Sequence, residues 1–138
     1  MPATSINFVA ILAAAVAYTI LGAIWYSPFV FGKTWMKLIG KTKEQVEKDF
    51  TPMNYLWALV TSFLASYGIA RILFWMGYAG CVTGLKVGLV VGVCFALGSM
   101  WVTDAFEARP KALTIVNALF HLVGMILAGS IIGSWGEW

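Results

Sequence analysis

The sequence predicts an all-α integral membrane protein: a four-helix transmembrane bundle with a short amphipathic cytoplasmic segment between helices 1 and 2. The 138-residue chain is 61% hydrophobic and only 11% charged, whereas a soluble domain carries about 25% charged residues. Apolar stretches at about 6–26, 53–76, 84–102 and 112–135 approach or exceed the roughly 20 residues that span a bilayer. Helices that are apolar all round suit lipid rather than a small soluble core. We therefore expect one transmembrane domain, residues 1–138, in a lipid bilayer.

The first span is expected to be retained rather than cleaved as a signal peptide. It begins without Lys or Arg and runs directly into Trp25-Tyr26-Ser27-Pro28. This ending is typical of an interfacial anchor followed by a helix stop, not of a cleavage site.

Residues 29–52 form the one sizeable segment outside the membrane. Aromatic and aliphatic residues alternate here with Lys33, Lys37 and Lys41, as in a helix that lies on a membrane surface. Thr42 and Gln45 fit a capping box that opens a short charged helix. Two interpretations are open: a solvated connector, or a docking surface for a partner or for anionic lipid.

Small residues recur every four positions in the second and third spans. They are Ala58, Ser62, Ser66 and Ala70, and then Gly84, Gly88, Gly92 and Ala96. Such ridges allow two helices to approach closely. The pattern does not decide whether the third-span ridge packs within one chain or between two copies. Cys81 and Cys94 would lie about 20 Å apart along a helix, so we expect free thiols rather than a disulfide.

The loops suggest the orientation of the chain. The first and third loops hold seven basic residues, and the other side of the membrane holds only Arg71 and Lys86. The positive-inside rule then predicts that both basic loops are cytoplasmic and that both termini lie outside. Residues 103–110 are expected to form a short polar connector in which Asp104, Glu107 and Arg109 make a local charge network.

The fourth span carries a polar stripe. Thr114, Asn117, His121, Gly124 and Ala128 fall on one side of a helix, and such a stripe should be covered by other helices. His121 is expected roughly 15 Å from Lys111, near the middle of the hydrocarbon. A neutral imidazole has one donor and one acceptor to satisfy. Asn117 is expected to help with one, and a second-span hydroxyl (Thr61, Ser62 or Ser66) with the other.

Several short motifs resemble the "domain of unknown function 1761" family of small bacterial membrane proteins. They are Trp25-Tyr26-Ser27-Pro28, Phe31-Gly32-Lys33 with Trp35-Met36, Phe106-Glu107 with Arg109, and Asn117 with His121 before a Gly-rich helix end. In that family a tyrosine often stands where this chain has Phe120. The resemblance implies four helices and a prokaryotic inner membrane, and it implies no chemistry. It favours Tyr26, Ser27, Pro28, Asn117 and His121 as the site residues.

The sequence gives little reason to expect an enzyme. It has one histidine and no phosphate loop, GxSxG or HExxH motif, and metal sites usually need three or four ligands. We expect no catalytic residue, metal or cofactor, and no nucleic-acid partner. Two functions are open. One is a structural or accessory subunit, in a homo-oligomer or in a larger membrane complex. The other is a minimal oligomeric channel or transporter for a small solute or proton, lined by Asn117 and His121.

Overall fold

The structure, a computed structural model, describes residues 5–77 and 79–135 and is helical throughout, with no strand among these residues. The helices are α1 (Phe8–Trp25), α2 (Gly32–Ile39), α3 (Lys43–Asp49), α4 (Pro52–Met76), α5 (Cys81–Val91), a π-helical segment (Gly92–Leu97), α6 (Gly98–Phe106) and α7 (Lys111–Ser134). α5, the π-helical segment and α6 form one continuous helix, the third span. Four helices of the described chain are long and apolar enough to cross a membrane: α1, α4, the third span and α7. The predicted all-α fold with four spanning helices is confirmed.

The helix ends follow from local sequence. The Asn7 side chain accepts hydrogen bonds at 3.0 Å from the N–H groups of Val9 and Ala10. These groups lie in the first turn of α1, where a backbone N–H has no acceptor within the helix. The capping box of Thr42 and Gln45 at the start of α3 is confirmed. Pro52 occupies the first turn of α4, where its missing N–H costs nothing.

Helix α7 lies at the centre of the bundle. It packs against α1, α4 and the third span. The core that these helices share is apolar, and its largest fully buried side chains include Ile11, Ile69, Leu73 and Ile132. Every polar group on the inner face of α7 is therefore within reach of a neighbouring helix.

The third-span glycine ridge packs against α7 of the same chain. A Cβ atom at Gly84 would overlap the carbonyl oxygen of Gly129, and one at Gly88 would overlap that of Met125. A Cβ at Gly92 would lie 2.7 Å from a side-chain carbon of Leu122, and Ala96 is half-buried in the π-helical segment. Because backbone meets backbone at Gly84 and Gly88, only glycine fits there. The third-span glycine ridge thus packs within one chain and not between two copies.

The third span is longer than the predicted 84–102. The helix runs from Cys81 to Phe106, so residues 103–106 belong to it and not to a connector. In an ideal α-helix Asp104, sixteen residues after Gly88, would point about 160° away from the glycine face. The i→i+5 bonding of the π-helical segment takes up one extra residue per turn, and Asp104 instead faces α7, where it is buried.

Helix α4 is packed along only part of its length. Ser62, Ser66 and Ala70 of its small-residue ridge are buried, whereas Ala58 is exposed. None of residues 52–61 is buried. The ridge predicted from sequence therefore meets its neighbours only in the second half of α4.

Candidate functional site

Three polar side chains of α7 make hydrogen bonds to three different parts of the bundle. Thr114 is buried, and Asn117 and His121 are half-buried. Each side chain has a partner on another helix or just beyond a helix end. The stripe is therefore covered by neighbouring helices, and it is a set of separate polar pairs rather than one continuous polar cluster.

His121 is bonded to α1. Its Nδ1 lies 2.7 Å from the hydroxyl oxygen of Tyr18, which is also 3.4 Å from the His121 carbonyl oxygen. If the hydroxyl donates to Nδ1, the ring proton sits on Nε2; if Nδ1–H donates to the hydroxyl, the hydroxyl proton is free for the carbonyl. In the described part of the chain Nε2 has no hydrogen-bond partner.

The expected partners of His121 on α4 were wrong. The Thr61 hydroxyl donates to the Trp57 carbonyl of its own helix at 2.8 Å, and the buried Ser66 hydroxyl has no partner among the described residues. Tyr18 occupies the space beside His121 because Gly124, one turn away on α7, leaves room for its ring. A Cβ at Gly124 would lie 2.5 Å from Cζ of Tyr18.

Asn117 does not assist His121, contrary to expectation. Its Oδ1 accepts a hydrogen bond at 2.7 Å from the hydroxyl of Tyr26, the residue that follows α1. Beside it, Nε1–H of Trp25 donates to the carbonyl of Val116 at 3.1 Å. These two bonds fasten the end of α1 to α7.

The rest of the Tyr-Ser-Pro motif shapes the turn after α1. The Ser27 hydroxyl donates to the Ile24 carbonyl at 2.6 Å, and the Ser27 carbonyl accepts the N–H of Gly32 at 2.9 Å. A Cβ at Gly32 would lie only 2.6 Å from that carbonyl oxygen. The motif therefore folds the chain sharply from α1 into α2, with Pro28 exposed on the outside.

Phe120 is the centre of an aromatic cluster. Its ring centroid lies 5.4 Å from those of Tyr18 and Tyr26, both in edge-on contact, and 6.3 Å from that of Trp25. The space around this position is filled by rings, so a phenyl group packs here without a polar partner. Phe120 thus separates the Tyr18–His121 pair from the Tyr26–Asn117 pair.

Asp104 is the site residue that sequence reasoning did not single out. Its Oδ2 accepts a hydrogen bond at 2.7 Å from the Thr114 hydroxyl, and its Oδ1 lies 3.8 Å from Nε of Arg109. Arg109 in turn donates from Nε to Glu107 at 2.6 Å. The expected network of Asp104, Glu107 and Arg109 is present, but Asp104 belongs to the helix. The available signal was a carboxyl group within one helical turn of the apolar third span.

The described residues contain no group of three or more His, Cys, Asp or Glu side chains that could hold a metal ion. Cys81 and Cys94 are free and exposed. The chemistry that this site performs in the folded chain is hydrogen bonding between helices: α1 to α7 at two levels, and α6 to α7 at a third.

No curated protein and no solved structure matches the chain. The model of the family described as "Protein of unknown function (DUF1761)" matches residues 9–133. That range covers nearly the whole chain, including all three polar pairs of α7. The chain therefore belongs to the DUF1761 family.

Proposed function

We propose that the protein is a structural or accessory membrane subunit. It assembles with copies of itself or with a larger membrane complex. The observation that carries this proposal is the pairing of Thr114, Asn117 and His121 within the bundle. Polar side chains that are committed to neighbouring helices stabilise a packed unit. They do not offer a solute a continuous polar path through a single chain.

The outer surface of the bundle supports assembly. The third span meets α7 through its glycine ridge and turns apolar side chains outward, among them Val90 and Phe95, which are more than half exposed. Outside the spans the described chain adds only two short helices, α2 and α3. A partner inside the membrane would therefore meet an apolar helix surface that the packing within this chain leaves uncovered.

The proposed setting is the inner membrane of a prokaryote, with both termini outside and the loops before α4 and α7 in the cytoplasm. Its support is the bias of seven basic residues against two between the two sides. The buried polar pairs fit either orientation.

Assembly is tested by extracting the untagged protein from its native membrane in polymer-bounded lipid discs and measuring the mass of the particle. We expect a particle in which more than one polypeptide is present, either several copies of the 15.1 kDa chain or the chain with a reproducible partner. Cross-linking of the exposed native thiols of Cys94 between copies would identify a homo-oligomer. Recovery of single chains only, at native expression level, would contradict the proposal.

A second candidate is an oligomeric channel or transporter for a proton or small solute, lined by Asn117 and His121. One observation favours it: only Nδ1 of His121 has a hydrogen-bond partner in the described chain, and Nε2 is not fully buried, so that it is open to water or to another chain. The two functions differ in liposomes. A channel passes protons under a pH gradient and loses this flux when His121 is replaced, whereas a structural subunit gives the flux of empty liposomes.

A further inference from the structure

A groove of about 180 Å³ lies between α2, α3 and the end of α1. Its walls are mainly apolar and come from Tyr26, Pro28, Trp35, Met36, Val46 and Phe50. Lys43 and Glu47 stand at its rim. The volume is enough for part of one hydrocarbon chain, and it is too small for even one turn of a helix, which is about 10 Å across and 5.4 Å long.

The groove lies where lipid headgroups would be. Helix α2 begins a few residues after the end of the first spanning helix, and the turn between them carries Phe29, whose side chain is 97% exposed. The span itself ends in Trp25 and Tyr26, and Trp and Tyr are the aromatic residues enriched at the membrane–water interface. The neighbours of the groove are then the lipids of the adjoining leaflet, whichever way the protein is oriented.

The charge around the groove favours an anion. Residues 33–49 contain five lysines and three carboxyl groups. Lys41 is paired with Asp49, and Lys43 lies 3.9 Å from Glu47. Lys33 and Lys37, one turn apart on the exposed side of α2, have no ion pair among the described residues. The segment that forms the groove therefore keeps an excess of two positive charges, with Lys43 lining the groove and Lys33 and Lys37 on the helix that supplies Trp35 and Met36.

We propose that this groove binds one acyl chain of an anionic phospholipid from the adjoining leaflet, with the phosphate held by Lys43 and attracted by the lysines of α2. The Lys43–Glu47 pair is long and both side chains are mostly exposed, so Lys43 is free to turn towards a phosphate. The acyl chain contacts Trp35, Met36 and Val46. This inference rests on the membrane fold and does not depend on the proposed assembly function.

Lipid binding at this place would also reach the bundle. The ring of Tyr26 lines the groove, and its hydroxyl donates to Asn117 inside the bundle. An occupied groove holds that ring in the position from which the hydrogen bond is made. The lipid therefore stabilises the junction between α1 and α7.

The test uses the full chain in nanodiscs that contain phosphatidylglycerol with a photoactivatable diazirine in one acyl chain. After illumination, mass spectrometry locates the cross-links. We expect them to concentrate on Trp35, Met36, Val46 and Phe50, and to be displaced by excess unlabelled phosphatidylglycerol but not by phosphatidylcholine. Cross-links spread evenly over the outer faces of the spans would overturn the proposal, as would equal displacement by both lipids.

Two variants and a control sharpen this test. Lys43→Gln removes the rim cation, and Met36→Trp fills the groove; each should reduce the cross-links on Trp35, Val46 and Phe50 about threefold. Lys86→Gln removes an exposed cation on α5 and should leave them unchanged. The proposal would also be overturned if both groove variants, shown to be folded by circular dichroism, were cross-linked as strongly as the wild type.

Discussion

At the scale of single residues, the buried carboxyl group of Asp104 has one hydrogen-bond donor, the Thr114 hydroxyl, beside a longer ion pair with Arg109. Asp104 is only 8% exposed, and the donor that lies within hydrogen-bond distance of it is Thr114, at 2.7 Å. A buried acceptor that loses its donor keeps its desolvation cost without compensation. The Asp104–Thr114 hydrogen bond between α6 and α7 should therefore contribute more to the free energy of unfolding than a hydrogen bond made by an exposed hydroxyl.

Thr114→Val keeps the shape of the side chain and removes the donor. We expect it to lower the free energy of unfolding by about 1–3 kcal/mol, measured as loss of helical circular dichroism on heating in mild detergent. Thr103→Val is the matched control, because the Thr103 hydroxyl is exposed and donates only to the Ser99 carbonyl of its own helix. Equal stability of the two variants would show that the Asp104–Thr114 bond is not structural.

The inner face of α7 was predictable residue by residue, and its partners were not. Helical periodicity places Thr114, Asn117 and His121 on one side without reference to the rest of the chain. The partner of His121 depends on which neighbouring helix lies at the same depth and in which direction it faces. Tyr18 is separated from His121 by 103 positions, and no local pattern connects them.

At the scale of helices, α5 and α7 cross with their main chains in contact. The glycines of α5 lie against the main chain of α7, and Gly129 and Gly133 of α7 lie against the main chain around Gly80 and Gly84. The two helices therefore touch through backbone atoms on both sides. Such a contact cannot adapt to a side chain without moving one helix away from the other.

Gly88→Leu should separate α5 from α7 and lower the thermal stability of the bundle, because the Cβ alone already overlaps the Met125 carbonyl. Val90→Leu, two positions along on the exposed face of α5, is the control and should change little. Melting temperatures in detergent provide the measurement. Equal melting temperatures of the two variants would show that the glycine ridge does not lie at the crossing.

The π-helical segment explains why the end of the third span escaped prediction. A regular α-helix would turn Asp104 away from α7, and a charged residue beside Glu107 and Arg109 then looks like part of a polar loop. The single-residue shift in register lies between Gly92 and Leu97, and no proline or other local signal in the sequence marks it. Hydropathy predicts that the span exists. Which of its residues face α7 can be read only from the three-dimensional contacts.

At the scale of the whole molecule, the four spans and the position of the one long connection between them follow from length and hydropathy alone. The bilayer imposes this regularity, since each span must be apolar and must satisfy its own backbone. The arrangement of the spans around α7 does not follow from hydropathy, because lipid-facing and protein-facing surfaces are equally apolar. The glycine and small-residue ridges predicted close crossings, and only the assembled bundle identifies which helix each ridge meets.

The orientation of the molecule makes a separate prediction. From the distribution of basic residues we expect both termini outside the cell and residues 43–48 in the cytoplasm. Alkaline phosphatase fused after Trp138 should be active, and the same enzyme inserted within residues 43–48 should be inactive. A fluorescent protein that matures only in the cytoplasm should give the opposite pattern. Cytoplasmic activity of the C-terminal fusion would contradict the predicted orientation.

The central claim is that the polar face of α7 holds the helices of the bundle together, and a double-mutant cycle on Tyr18 and His121 tests it most directly. Stability is measured in detergent for Tyr18→Phe, His121→Leu and the double variant, with His121→Gln as the polar replacement. We expect each single loss to destabilise the bundle, a coupling of about 0.5–3 kcal/mol between them, and partial retention of stability by His121→Gln. Single variants as stable as the wild type, with no coupling, would contradict the structural role of this face.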